Sequence, residues 1–256
     1  MKILITGSRS GIGFLTALAL AEMGHNVFLT CKTENQVKTV RKNVRNYKNI
    51  TVMKIDILNK EDRKKVLDLN LNVLISNAAV CQGGSIIETD MNKVRESFDV
   101  NVFSNFELVR NILQQMIKKD SGRVVIISSL ISKIPLPFAG IYSATKASVT
   151  NLTYALKDEL YLMGTNVNIA LVEPGLYHTG FNQVLLDSKY DNGKYFNNIK
   201  EKLFNIEHFI FNLLEKKDIT PIVVQIVRAA TDKNVKKVYR APITQALFIK
   251  LYSMFK

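Results

Sequence analysis

A tyrosine and a lysine stand four residues apart in the stretch IYSATKAS, at Tyr142 and Lys146. Residues at i and i+4 share one face of a helix, so the phenol and the ammonium group would point the same way. A tyrosine needs its pKa lowered by about two to three units, or about 3–4 kcal/mol, to transfer protons near neutral pH. An ammonium about 4 Å away supplies about 4 kcal/mol at an effective dielectric constant of about 20. The pair therefore predicts a tyrosine activated for proton transfer; an ordinary pair on an exposed helix is the alternative.

A glycine-rich turn, TGSRSGIG, follows the first apolar run of the chain, at residues 6–13. Glycines allow a tight turn and a close approach of the backbone to a ligand, and the next helix offers free N–H groups to phosphate. A strand, this turn and a helix are the context that a dinucleotide site requires, although a turn with a merely structural role is the alternative. The candidate cofactor-binding residues of the turn are Gly7, Ser8, Arg9, Ser10, Gly11, Ile12 and Gly13.

The residues after the second apolar run indicate which dinucleotide is preferred. A turn of this type that binds NAD normally has an acidic residue at the end of the second strand, where it accepts hydrogen bonds from the ribose hydroxyls. The sequence there is LTCKT, with Cys31 and Lys32 in place of a carboxylate. Lys32 suits the 2′-phosphate of NADP(H), and Arg9 in the glycine turn offers a second positive charge. The sequence favours NADP(H) over NAD(H); the alternative is that both cations are solvated surface groups.

Short runs rich in β-branched residues alternate with segments of helical spacing along most of the chain. Most of these runs lack polar alternation, which is typical of strands buried on both faces of a parallel sheet. We therefore expect an α/β fold in a single domain over residues 1–256, a Rossmann-type doubly wound parallel sheet with helices on both faces. The predicted strands are 2–6, 26–30, 50–55, 72–76, 123–128 and 167–172, and the predicted helices are 11–23, 34–46, 59–68, 90–118 and 140–162.

Composition and charge narrow the possible functions. The 256 residues are 47% hydrophobic and 22% charged, which is normal for a globular protein. The formal net charge is +13, but the basic residues are scattered and carry no nucleic-acid-binding signature, so we expect no nucleic-acid partner. Cys31 and Cys81 lack metal-type spacing, and no apolar run reaches the roughly 18–20 residues that cross a bilayer. The sequence predicts a cytoplasmic protein without a metal site.

The motifs occur in an order that resembles the classical short-chain dehydrogenase/reductase family over nearly the whole chain. TGSRSGIG is similar to the family's cofactor turn. NAAV at 77–80 is similar to its NAG motif, with Ala79 in place of the usual glycine, and PGLYHT at 174–179 resembles its PGxxxT segment. Members that prefer NADP often carry a basic residue directly before the second glycine, where this chain has Ser10 and places Arg9 one step earlier.

Four residues match the catalytic positions of that family: Asn101, Ser129, Tyr142 and Lys146. The resemblance implies that Tyr142 passes a proton to or from the substrate oxygen, while Ser129 stabilises the charge that develops there. Lys146 would lower the tyrosine pKa and hold the nicotinamide ribose. Asn101 would hold a water molecule that links Lys146 to solvent; a buried asparagine bonded to backbone is the alternative.

The resemblance also implies hydride transfer between a nicotinamide cofactor and a carbonyl or alcohol, on a sheet of about seven strands whose last member lies at 237–241. It implies a homodimer or homotetramer. The further cofactor-binding positions that it implies are Asp56, Ile57, Asn77, Ala78, Ala79, Tyr142, Lys146, Pro174, Gly175, Tyr177 and Thr179.

Two segments are expected to enclose the substrate, the loop LISKIPLPFAG at 130–140 and a lid segment at 180–217. Their apolar and aromatic side chains favour a lipophilic ketone, aldehyde or secondary alcohol, as in the hydroxysteroid and retinol dehydrogenases that the tail resembles. A non-catalytic nucleotide sensor on the same fold is the alternative function. The expected substrate-side residues are Leu130, Ile131, Leu136, Phe138, Phe181, Tyr190, Tyr195 and Phe196.

The last segment of the chain, 243–256, is predicted to be an apolar helix. Its spacing places Ile243, Leu247, Leu251 and Phe255 on one face. Such a helix could dock on the fold, mediate self-association or touch a membrane surface.

Overall fold

In the computed structural model, the described residues form a sheet of seven parallel strands in the order β3-β2-β1-β4-β5-β6-β7. The structure describes residues 1–188 and 194–254, so the side chains predicted at Tyr190 and Phe255 lie outside the described part. The predicted α/β fold with its parallel sheet is confirmed. The strands are β1 Lys2–Ile5, β2 Asn26–Cys31, β3 Ile50–Lys54, β4 Val73–Ser76, β5 Arg123–Ile127, β6 Asn168–Pro174 and β7 Val238–Ala241.

Helices connect the strands and cover both faces of the sheet. Helices α1, α2 and α9 pack on one face, and α3, α5 and α6 pack on the other. The helices are α1 Gly11–Glu22, α2 Glu34–Asn43, α3 Lys60–Leu67, α4 Met91–Phe98, α5 Asn105–Lys118, α6 Gly140–Met163, α7 Phe181–Ser188, α8 Lys200–Leu214, α9 Thr220–Thr231 and α10 Ile243–Met254.

The central strand shows why the sequence lacks polar alternation. In β1, Ile3, Leu4 and Ile5 are all completely buried. Ile3 and Ile5 belong to the core layer beneath α1 and α9, whereas Leu4 belongs to the layer beneath α5 and α6. Successive side chains still point to opposite faces, but both faces are covered and therefore both need apolar residues.

The helix predicted at 90–118 is interrupted by a π-helical turn at Asp99–Ser104, between α4 and α5. Side-chain hydrogen bonds surround this turn: Asn105 Nδ2 donates to Val100 O at 2.6 Å, and Asn101 bonds to the backbone of Val80. The apolar spacing fits an α-helix on either side, so the sequence pattern alone did not indicate the wider turn. A second short element, the 3₁₀ turn Leu130–Lys133, was also not predicted.

The tail after β6 contains helices rather than strands until β7. This tail contains α7 and α8, and the predicted last strand is confirmed as β7. Helix α9 begins at Thr220, whose backbone N–H donates to Asp218 Oδ1 at 2.9 Å. Among the described residues, no helix has the length and apolarity needed to cross a membrane.

Candidate active site

A cleft of about 450 Å³ opens at the carboxyl edge of the sheet. It lies where β1 pairs with β2 on one side and with β4 on the other, which is the switch point at which doubly wound sheets bind ligands. Its volume falls within the range of about 300–1,000 Å³ that is common for ligand pockets. Both the glycine turn and the Tyr142–Lys146 pair line this cleft.

The glycine turn is packed so closely that side chains would not fit at two of its positions. Gly7 has a φ of +62°, and a Cβ there would lie 2.7 Å from the Cα of Ala78. A Cβ on Gly13 would lie 2.7 Å from Asn77 Nδ2. The side chain of Ser10, which precedes α1, forms no capping hydrogen bond in the described chain, so the first amides of α1 remain available. A bare helix N-terminus behind a close-packed turn fits a phosphate group.

The end of β4 is hydrogen-bonded to the glycine turn. Asn77 Nδ2 donates to the carbonyls of Thr6 and Gly7 at 2.9 and 3.0 Å, and Thr6 Oγ1 accepts from the backbone N–H groups of Asn77 and Ala78. These bonds hold β4 and the turn as one rigid wall of the cleft. They explain why an asparagine is suited to the first position of the NAAV motif.

Two positive charges border the cleft near the end of β2, one from the glycine turn and one from the residue after β2. Arg9 and Lys32 both line it and both are exposed. Burial raises the pKa of the Cys31 thiol to about 11, and the Arg9 charge opposes this rise, which places Arg9 near the end of β2. Within the described chain neither cation forms an ion pair. The turn after β2 is fixed by Gln36, whose Oε1 accepts from the backbone N–H of Lys32 at 3.0 Å.

A buried carboxylate that sequence reasoning missed shapes the wall at Asp56 and Ile57. Asp62 Oδ2 accepts from the backbone N–H of Asp56 at 2.9 Å, and both Lys54 and Lys65 pair with the same carboxylate. Burial by itself would raise the pKa of Asp62, but the hydrogen bonds from these partners outweigh it and lower the pKa to about 2. Asp62 therefore stays ionised at neutral pH and holds the residues after β3 in place.

Ser129 sits at the opposite end of the cleft, two residues after the end of β5. It begins the 3₁₀ turn, where its Oγ accepts from the backbone N–H of Ile131 at 3.3 Å and donates to Pro174 O at 3.4 Å. Its side chain also forms a hydrogen bond with the Tyr142 hydroxyl. Ser129 and Tyr142 are thirteen positions apart in the sequence, and the fold places them side by side in the cleft.

The ammonium group of Lys146 lies 5.8 Å from the centre of the Tyr142 ring, on the same helical face, as the spacing predicted. Both side chains are buried, and Lys146 Nζ donates to Ile127 O at 3.0 Å. Burial raises the pKa of Tyr142 well above its ordinary value, the Cys81 thiol adds to the rise, and the bond with Ser129 opposes it. Burial lowers the pKa of Lys146 to about 8.

The predicted lowering of the tyrosine pKa is therefore wrong for this structure. The sequence estimate assumed an ammonium about 4 Å from the phenol in a medium of dielectric constant about 20. In the fold, the lysine is directed to a backbone carbonyl, and the loss of hydration of the phenolate dominates its pKa. Tyr142 is consequently a protonated hydrogen-bond donor at neutral pH.

Asn101 lies in the π-helical turn and is bonded mainly to backbone. Its Oδ1 accepts from Val80 N at 2.8 Å, and its Nδ2 donates to Val80 O at 2.9 Å and to Thr145 Oγ1 at 3.0 Å. This matches the alternative given above, a buried asparagine that holds backbone. Asn101 and Lys146 nevertheless line one small cavity of about 10 Å³. That space approaches the size of a single water molecule.

A sequence profile described as short chain dehydrogenase matches residues 1–189. The chain belongs to the short-chain dehydrogenase family. As a member, it is an oxidoreductase that acts on CH–OH or C=O groups with a nicotinamide cofactor.

Similar proteins include a 3-ketodihydrosphingosine reductase of Bacteroides thetaiotaomicron, 28% identical over 97% of this chain and 90% of the relative. A short-chain dehydrogenase/reductase of Burkholderia phymatum, solved in complex with NAD, aligns with a TM-score of 0.83 and 20% identity, covering 98% of this chain and 92% of that one. ElxO with NADP bound aligns with a TM-score of 0.75 and 23% identity, covering 93% and 96%. Both solved structures share the fold with this short-chain dehydrogenase.

Two of the cofactor and catalytic residues predicted for this short-chain dehydrogenase do not line the cleft, Ser8 and Asn101. Ser8 is completely buried: its Oγ donates to Ile5 O and accepts from Thr30 N, both at 3.0 Å, so it joins the glycine turn to β2. The other predicted residues line the cleft, namely Gly7, Arg9, Ser10, Gly11, Ile12, Gly13, Lys32, Asp56, Ile57, Asn77, Ala78, Ala79, Ser129, Tyr142, Lys146, Pro174, Gly175, Tyr177 and Thr179.

The PGLYHT segment contributes to the cleft chiefly through its small residues and its backbone. Thr179 packs on Gly11, since a Cβ on that glycine would lie 3.3 Å from the threonine Cβ. The Tyr177 ring instead joins the core layer beneath α1, and burial raises the pKa of its hydroxyl to about 12. His178 Nδ1 lies 2.7 Å from Glu215 Oε2, so this histidine joins the two ends of the α7–α8 segment.

The substrate side of the cleft is apolar. Phe181 on α7 lies edge-on to Tyr142, with 5.8 Å between ring centres, and Leu185 and Phe211 line the same space. Of the four loop residues predicted to line it, only Ile131 does so: Leu130 is buried in the fold, Leu136 is exposed, and Phe138 packs on Phe196. Tyr195, predicted on the lid, is 77% exposed.

Sequence reasoning also missed a buried carboxylate behind Ser129. Glu173, the residue before Pro174, is completely buried, and its Oε2 accepts from Lys133 Nζ at 2.8 Å and from Arg240 Nε. It therefore joins the 3₁₀ turn that begins at Ser129 to β6 and β7. The only sign of this network in the sequence was an acidic residue at the end of an apolar run, directly before the PG pair.

Proposed function

We propose that this chain is an NADP(H)-dependent oxidoreductase that interconverts a lipophilic carbonyl compound and its alcohol. The observation that carries the proposal is one cleft with two chemically different ends. Ser129, Tyr142 and Lys146 meet at one end, and Arg9 and Lys32 lie at the other. Between them the glycine turn and the bare end of α1 suit a pyrophosphate.

In this proposal, Ser129 and Tyr142 act together on the substrate oxygen. The phenol keeps its proton at neutral pH, so it donates a hydrogen bond to a carbonyl oxygen and then the proton as negative charge develops there. Ser129 Oγ donates a second hydrogen bond to the same oxygen. When bound, NADP(H) supplies or accepts the hydride. Alcohol oxidation is the reverse of these steps: the tyrosine first gives up its proton and then accepts the proton of the alcohol.

Lys146 and Asn101 complete the proposed proton path. The pKa of Lys146, about 8, lets the group release and regain a proton close to neutral pH. A water molecule in the small cavity beside Lys146, Asn101 and Asn105 would carry that proton. The proposed role of Asn101 is to hold the π-helical turn that forms this cavity, through its bonds to Val80 and Thr145.

The preference for NADP(H) rests on charge at the end of β2. A 2′-phosphate needs cationic partners and is repelled by a carboxylate. Arg9 and Lys32 both border the cleft, and Cys31 occupies the position where an acidic residue would select NAD. Solved relatives of this fold include one in complex with NAD and one with NADP, so this local charge is the basis of the proposal.

The proposed lipophilic substrate rests on the apolar wall formed by Phe181, Leu185, Phe211 and Ile131. The relative from Bacteroides thetaiotaomicron is named as a reductase of 3-ketodihydrosphingosine, which is consistent with such a substrate. We propose that the segment 180–217 acts as the lid over this wall. His178, Asn182 and Gln183 all bond to Glu215, which ties the two ends of that segment together.

The remaining predictions concern assembly and location. A homodimer or homotetramer remains an expectation from the family resemblance, and a cytoplasmic location remains an expectation from the composition of the sequence. A non-catalytic nucleotide sensor would not require Ser129, Tyr142 and Lys146 to meet at one point. Their convergence favours an enzyme.

Oxidation of NADPH with a panel of aldehydes and ketones of increasing chain length tests the proposal. We expect turnover to rise with apolar length. Tyr142→Phe should bind NADPH as the wild type does but lose at least about 10²-fold in kcat, the scale of general acid catalysis. Tyr161→Phe, an exposed tyrosine at the end of α6, is the matched control. Full activity of Tyr142→Phe, or silence of the wild type across the whole panel despite tight NADPH binding, would reject the proposal.

A further inference from the structure

Helix α10 presents an apolar stripe to solvent. Ile243, Leu247, Phe248 and Leu251 are 67%, 57%, 66% and 58% exposed. Their spacing of four, one and three residues places them on one side of an α-helix. Ala246 and Ile249 are less exposed than the stripe. The helix therefore leaves its larger apolar side chains uncovered.

Helix α8 extends this apolar region towards the cleft. Phe209 and Leu213, one helical turn apart, are 69% and 70% exposed. The end of α8 is joined to the start of α10, because Gln245 Nε2 donates to Leu214 O at 2.7 Å, and Gln245 Oε1 accepts from Leu176 N at 2.8 Å. We call the set the α8–α10 surface: Phe209, Leu213, Ile243, Leu247, Phe248 and Leu251.

Exposed cations border the α8–α10 surface. Helix α10 contains no Asp or Glu. Lys216 and Lys217 are exposed at the junction of the two helices, and Lys250 is exposed on α10. The two acidic residues at the junction are engaged within the fold, Glu215 with His178, Asn182 and Gln183, and Asp218 with the first amide of α9.

We propose that the α8–α10 surface docks on the face of a lipid bilayer that contains anionic lipids. An apolar helix face flanked by lysines buries its side chains at the level of the headgroups while the cations meet the lipid phosphates. A second copy of the chain is a poorer partner for this surface, because a symmetric contact would bring Lys216, Lys217 and Lys250 close to the same cations. The same α8 carries Phe211 into the cleft, so docking would set the substrate side against the membrane. This consequence rests on the proposed function.

Co-sedimentation of the full chain, with NADPH present, with vesicles tests the proposal. We expect binding to phosphatidylcholine vesicles that contain about one third phosphatidylglycerol, and binding at least about 10-fold weaker to phosphatidylcholine alone or in high salt. Leu247→Glu/Phe248→Glu should weaken binding by at least about 10-fold. The matched control is Tyr161→Glu/Leu162→Glu: these side chains are 85% and 83% exposed at the end of α6, on the opposite edge of the sheet, and binding should change less than about twofold.

Other outcomes would overturn the docking proposal. These are no binding of the wild type to the anionic vesicles, equal loss in both double variants, or a dimer in sedimentation equilibrium that only the α10 variant dissociates. Turnover of a short, water-soluble ketone separates this proposal from the proposed function, because the α10 substitutions lie outside the cleft and should leave it unchanged. A chain that reduced no carbonyl yet bound the vesicles as described would reject the proposed function alone.

Discussion

At the scale of single residues, burial rather than pairwise charge sets the protonation of the candidate catalytic pair. Tyr142 and Lys146 are both withdrawn from water, so each favours its neutral form: the phenol keeps its proton, and the lysine loses its proton near pH 8. A site prepared in this way stores unfavourable free energy that a purely structural helix would not contain.

Replacement of the buried lysine should therefore stabilise the fold. The pKa of Lys146 is about 8 in the folded chain, against 10.5 as the ordinary value, so its charge costs up to about 3 kcal/mol of folding free energy below pH 8. That cost fades as the pH rises from 8 to 10.5, because in this range the folded chain has released the proton whereas the unfolded chain still holds it, so a higher pH favours the folded chain. With the loss of the bond to Ile127 O, we expect Lys146→Met to gain about 1–2 kcal/mol at pH 7 and little near pH 10.

Urea denaturation of the wild type and of Lys146→Met at pH 7 and 10 measures this difference. Lys118→Met, which changes an exposed lysine in the last turn of α5, is the control and should alter stability little at either pH. A Lys146→Met protein that is less stable than the wild type at pH 7, or that gains more at pH 10, would contradict the expectation.

The choice between NADPH and NADH is also expected to depend on a single residue, Lys32. Lys32→Asp removes one cation and adds the carboxylate that repels a 2′-phosphate, so the ratio of kcat/KM for NADPH to that for NADH should fall by about 10–10²-fold. Lys38→Asp makes the same charge change on the exposed side of α2 and should leave the ratio nearly constant. Steady-state kinetics with both cofactors measures it. A wild type that already prefers NADH would show that the cations at the end of β2 do not select the cofactor.

At the scale of elements, the Glu173 carboxylate joins the 3₁₀ turn, β6 and β7. Lys133 and Arg240 approach the same buried oxygen, so removal of its charge leaves two cations without a partner. Glu173→Gln should lower the free energy of unfolding by about 3 kcal/mol. Glu61→Gln removes the exposed pair with Lys64 and should cost less than about 0.5 kcal/mol. Equal costs in denaturant titrations would show that Glu173 does not fasten the three elements.

Apolar spacing predicts most of the elements but not the interruption within the helix predicted at 90–118. The strands and most helices follow from apolar runs and spacing, because burial on both faces imposes that pattern. The π-helical turn at Asp99–Ser104 depends on side-chain bonds from Asn101 and Asn105 to distant backbone. Such bonds leave no periodic signal, so the sequence predicted one continuous helix there.

At the scale of the whole molecule, one sheet brings together residues that lie far apart in the chain. Arg9, Ser129 and Thr179 line a single cleft because parallel strands end at the same edge of the sheet. For the positive charge, the positions of the cations matter more than the net value of +13. Two cations stand at the cofactor end of the cleft, and others surround the α8–α10 surface.

The sequence by itself determined the family, the parallel α/β architecture and the candidates for the catalytic residues, because these depend on local spacing and on motifs in a fixed order. Only the tertiary structure decided the rest: the raised pKa of Tyr142, the turn of Ser8 into the core, the direction of Arg9, and the carboxylates of Asp62 and Glu173. Each of these depends on burial or on partners from distant segments. The physical reason is that desolvation and long-range hydrogen bonds arise only when the chain has folded.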